Sequence, residues 1–154
     1  MAFKLVSSGG LVAEPAVLNL PGSGVIKPNS VVIFDTSTNA VSAASITLAT
    51  GTSIIGVSLD YIQGKNEPTS FVRVIPFVPG QLWEADVLNV ITTAQLMSRF
   101  RLYDSVTVEN TSYDQTLSVN GIFFCYAISG ASSGSAKVIG EFLKTPQRLF
   151  SSSL

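Results

Sequence analysis

Short apolar runs of strand length, interrupted at fairly even intervals by clusters of Gly, Pro, Ser and Asn, organise this chain from end to end. Val31, Val32, Ile33 and Phe34 form a β-branched and aromatic run that stops at Asp35-Thr36-Ser37-Thr38-Asn39, a cluster of turn formers. Over 53–62 the period is two. Ile55, Val57, Leu59 and Tyr61 share one face, and the mostly small or polar set Ile54, Gly56, Ser58 and Asp60 takes the other. A polar loop at 63–68 leads into 70–77, where Phe71, Arg73, Ile75 and Phe77 alternate with Val72, Val74 and Pro76. Proline cannot donate to a ladder, so this strand ends at Pro76 or lies at a sheet edge. Pro79-Gly80 reads as a turn, and 81–87 resumes as an extended segment. The spacing is that of an antiparallel meander.

One stretch departs from this rhythm. Residues 92–100 contain good helix formers behind a Thr cap, with Gln95 at capping-box distance from Thr92. They predict a short helix with Leu96 and Phe100 on its buried face. Strand signals then return at 105–109, with Val106 and Val108 inward. Asn120-Gly121 supplies the two positive-φ residues of a type I′ hairpin with arms 116–119 and 122–129. A chargeless Gly/Ser loop at 129–135 precedes a closing strand at 136–143. The expected fold is therefore all-β: a small antiparallel β-barrel or sandwich with one short helix and an extended N-terminal arm. Segment 1–24 is the arm, 25–145 the β-barrel domain and 146–154 a C-terminal tail.

Segment 1–24 contains Leu11, Val12, Val17, Leu18 and Leu20, too apolar for an idle tail, yet Pro15 and Pro21 argue against a long strand or helix. Three fates stay open for it: a strand packed along its own barrel, an arm lying on a partner subunit, or a tail with no fixed place.

Composition narrows function mostly by subtraction. The chain has 154 residues, no histidine, one cysteine and 9 basic plus 10 acidic side chains, yet it is 46% apolar. Lacking histidine, it lacks the commonest general acid/base and the commonest metal ligand. Its mean hydropathy of +0.42 is high, but no run reaches the ~18 apolar residues of a spanning helix. Surplus hydrophobicity in short pieces points to buried strands or subunit interfaces, so no membrane partner is expected. The basic residues are scattered, with Arg99 and Arg101 the only close pair, so no nucleic-acid partner is expected either. Ser7-Ser8-Gly9-Gly10 and Glu14 break up any signal-peptide core. Asn110-Thr111-Ser112 fits the glycosylation pattern but reads as a turn-rich tripeptide.

Candidate chemistry is sparse. Glu84 and Asp86 lie two apart and so share one side of a strand, with Trp83 beside them. Paired carboxylates and an aromatic platform could serve a sugar-binding or hydrolytic module, although a strand pair of this kind normally faces solvent. Cys125 sits in an apolar run and reads as a small core side chain. Gly22-Ser23-Gly24 lacks the Lys-Ser/Thr of a phosphate loop. The expectation is no catalytic residue, no cofactor and no metal.

Three segments carry a family resemblance: Ile26-Lys27-Pro28-Asn29-Ser30-Val31-Val32, then Thr52-Ser53-Ile54-Ile55-Gly56-Val57-Ser58-Leu59-Asp60, then Phe71-Val72-Arg73-Val74-Ile75-Pro76-Phe77 through Val87. In this order of strand, turn, return and polar loop the chain resembles the decoration, or cement, proteins of tailed-phage heads. The short helix and strand expected over 92–104 are similar to the next elements of such chains, and the likeness covers about two-thirds of the sequence. It implies a non-enzymatic homotrimer on the exterior of the virion head, assembled in the host cytoplasm, with the major capsid protein and its own copies as partners. It also implies an N-terminal arm that grips neighbours, which makes Phe3, Leu5, Val6, Leu11, Val12, Val17, Leu18 and Leu20 the expected contact residues. Another virion part, in the tail, baseplate or a fibre, shares the compositional argument.

Overall fold

Thirteen strands and one 3-10 turn make up the computed structural model, which describes residues 3–7, 16–19, 24–35, 40–45, 53–64, 71–114, 121–129 and 137–143. In chain order the strands are β1 (Lys4–Ser7), β2 (Ala16–Asn19), β3 (Gly24–Ile26), β4 (Val31–Asp35), β5 (Ala40–Ala43), β6 (Ile54–Ser58) and β7 (Ile62–Gly64). They continue with β8 (Phe71–Pro76), β9 (Leu82–Val87), β10 (Arg99–Leu102), β11 (Thr107–Asp114), β12 (Phe123–Ser129) and β13 (Lys137–Phe142). The all-β expectation holds.

These strands form two curved layers. β2-β8-β6-β4-β5 make a half-barrel with β4-β6-β8 at its centre, whereas the segment at 81–87, read as the next strand of that meander, leaves it for the other sheet as β9. β9-β11-β10-β12-β13 close on themselves through a β9–β13 pairing, forming a five-stranded barrel. Every described pairing is antiparallel except β9 with β11, which run parallel through Thr107↔Asp86 and Val108↔Val87. The small ribbon β3–β7 is separate from both. The segments that carry the family resemblance fall mostly on the half-barrel, and only their last residues enter the closed barrel at β9.

Burial follows from alternation. Trp83 and Ala85 on β9, Phe100 and Leu102 on β10, and Phe123 and Cys125 on β12 point into the barrel. Phe77 from the end of β8 joins them and stacks on Phe142 at 4.1 Å. Val72 and Val74, the alternate residues of β8, face the other way into a second apolar cluster with Ile26, Val32 and Val41. Each buried side chain of this size contributes about 1.5–3 kcal/mol. The second cluster therefore absorbs much of the apolar content that composition alone left over.

Two expectations are corrected by pairing between distant strands. The period-two pattern over 53–62 breaks at a β-bulge, because Val32 pairs with Gly56 and Ile33 with Ile54, leaving Ile55 unmatched. Ile54 and Val57 consequently both reach the main core, while Ile55 packs on the second cluster. Tyr61 lies beyond the strand and is exposed. The helix over 92–100 is only the 3-10 turn Thr93–Gln95. Leu96 is already extended there, and Met97 donates its N–H to Cys125 O at 2.8 Å while Ser98 O accepts from Cys125 N at 3.0 Å. Sheet bonding to β12 ends the turn, and Phe100 is buried as a strand residue. The capping pair survives, with Thr92 N–H donating to Gln95 Oε1 at 3.0 Å.

Pro76 is the last residue of β8, an interior strand, so the proline ends a strand and does not mark an edge. Val78-Pro79-Gly80-Gln81 is the expected turn. Gln81 N–H reaches Val78 O at 3.4 Å and Gly80 has φ +87°, which favours glycine in a type II turn. The strand signal at 105–109 is realised from Thr107 onward, with Val108 buried. The hairpin residue Asn120 lies outside the described residues.

Candidate interaction surface

The carboxylate pair is where the pattern put it, on one side of a strand, and both members reach the same lysine. Glu84 and Asp86 both lie on the outer face of β9 and flank Lys137 of β13, at 3.7 and 3.8 Å. Ser129 Oγ donates to Glu84 Oε2 at 2.7 Å. That hydrogen bond is the main reason the Glu84 carboxyl sits below its usual pKa; burial pulls it upward and Lys137 adds to the lowering. Trp83 points the opposite way, 1% exposed, with Phe77 and Phe142 edge-on to it. A sugar cannot stack on an indole in the core, and the platform suggested by adjacency in sequence is corrected by the strand's alternation.

Several other described charged or titratable side chains also have partners. Asp60 accepts from Arg73 N–H, Nε and Nη2, with the shortest contact 2.6 Å, and the side-chain bond to Arg73 chiefly holds its pKa down. Arg101 pairs with Glu109, and Tyr126 Oη donates to Glu141 at 2.9 Å. Cys125 is fully buried, as its apolar surroundings suggested, and burial pushes its thiol up to about 11.

The N-terminal segment is used within the subunit. β1 pairs with β9 on the barrel and β2 pairs with β8 on the half-barrel, so a strand on its own sheet is the fate the described part takes. Phe3 is buried at 1% exposure, 5.1 Å from Phe142 and 6.3 Å from Phe123 between ring centroids. Leu5 is half-buried against the same core, and Val6 is exposed. Val17 and Leu18 are placed by backbone pairing with Arg73 and Val72. Leu11, Val12 and Leu20 lie outside the described residues.

Pattern reading missed the loop that leaves β9. Residues 87–98 carry no charge at all, and Leu88, Val90 and Met97 within them are exposed at 39, 66 and 59%. A buried residue fixes this loop. Asn110 of β11, 1% exposed, accepts from Asn89 N–H at 3.1 Å and donates from Nδ2 to Asn89 O, Val90 O and Gln95 Oε1. Gln95 Nε2 in turn donates to Asn110 O at 2.8 Å. The supposed turn-forming tripeptide is thus a strand residue whose amide acts as a lock. Met97 has φ +60°, a left-handed conformation that costs a side-chain-bearing residue about 1–2 kcal/mol. Fixed backbone and a strained, outward-held methionine give a rigid apolar display. An uncharged run ending at Arg99 and an Asn within a strand-like segment were the available signals.

Compared with protein-family models, characterised proteins and solved structures, the chain matches none.

Proposed function

We propose that this protein is a structural subunit of a virion: a decoration protein on the outside of a tailed-phage head that cements the major-capsid lattice. It works as a homotrimer, without catalysis or cofactor. The observation that carries the reading is the locked, uncharged loop that holds Val90 and Met97 in water. Exposed apolar side chains on a fixed backbone favour protein contact, since little ordering entropy is lost on docking. The all-β fold and the resemblance of its strand order to head-decoration proteins supply the context.

The physics of such a clamp is additive. Specific interfaces bury roughly 1,200–2,000 Å², and a symmetric trimer repeats each weak contact at high effective concentration. Apolar contacts also keep their strength as salt rises, unlike exposed ion pairs.

The test is direct. Purified protein added to undecorated, expanded heads of the encoding phage should bind them and raise their resistance to heat. Absence of binding removes the head reading. Label found on tails in electron micrographs would move the protein to another part of the virion.

A further inference from the structure

We draw no further inference here: the strongest candidate, the surface patch beside β8 where exposed Tyr61 and Phe71 border the Asp60–Arg73 ion pair, carries nothing, because Asp60 already engages the Arg73 guanidinium and nothing in the structure shows what covers the two rings.

Discussion

Replacing Phe3 by Ala tests whether the N-terminal segment belongs to the subunit's own core. Phe3 is 1% exposed, edge-on to Phe142 at 5.1 Å and tilted against Phe123 at 6.3 Å. Truncating a buried Phe removes its transfer free energy and leaves a cavity, together about 3–5 kcal/mol. Phe142 also packs against Phe77 and Trp83, so the void would open beside the whole aromatic cluster. With a urea slope near 2 kcal/mol per molar, the unfolding midpoint should fall by about 1.5–2.5 M. Trp83, the single tryptophan, lies in this cluster, and its fluorescence reports the transition. Val6→Ala on the same strand but at the surface is the internal control and should cost no more than ~0.5 kcal/mol. A Phe3→Ala midpoint within about 0.5 M of wild type, or equal to that of Val6→Ala, would refute the reasoning and return the segment to the status of an arm.

Asn110→Ala strands the partners of a buried amide and should cost about 2–3 kcal/mol, with hydrogen exchange speeding up at residues 89–95; unchanged exchange there would refute the lock. Gly140→Ala should destabilise by about 1–3 kcal/mol or more, because a Cβ there would lie 2.2 Å from Phe124 O; a neutral result in a thermal melt would mean the bulge between Cys125 and Ala127 yields. Met97→Asn should stabilise the fold by up to about 1 kcal/mol, since Asn tolerates φ +60°; a lower melting temperature would count against strain at this residue. Burial raises the Cys125 thiol from 9.0 to about 11, so the stability tied to its neutral form is complete below pH 9 and is lost as pH rises through about 11. Urea midpoints of wild type and Cys125→Ala should therefore converge or cross on the alkaline side only, and a thiol reagent that modifies the folded protein near neutrality as fast as the unfolded chain would contradict this.

Local pattern was enough wherever a strand's neighbours did not alter it. The run at 31–34, the alternation of Val72 and Val74 with Arg73, and the closing strand read at 136–143 all formed strands, as β4, β8 and β13, and β8 keeps its alternation because it pairs with both β2 and β6 without a register shift. What escaped depended on residues far along the chain. The bulge at Ile55 is imposed by its register with β4. The turn at Thr93–Gln95 stops short because Met97 and Ser98 bond to Cys125, and a helix of good formers loses to a sheet partner that sequence proximity does not reveal. The lock at Asn110 spans 21 positions to Asn89, so composition could mark residues 87–98 as uncharged without showing that they are held.

These long-range pairings also change what the composition means. An apolar share of 46%, taken by itself, argues for contact with other proteins. The structure uses much of that share internally: Phe3 fills the barrel's aromatic cluster, and Ile26, Val32, Val41, Val72 and Val74 build a second core under the half-barrel. Hydrophobic surplus alone therefore does not favour an assembly. Position does. Among the exposed large apolar side chains described, Leu88, Val90 and Met97 come from one loop, and that loop is fixed by a buried amide and a left-handed residue. Tyr61 and Phe71, equally exposed, border the Asp60–Arg73 ion pair, whose charges would have to be desolvated by any partner covering them. Residues 87–98 carry no charge of their own, so covering them in the proposed subunit contact would desolvate less than covering the aromatic pair.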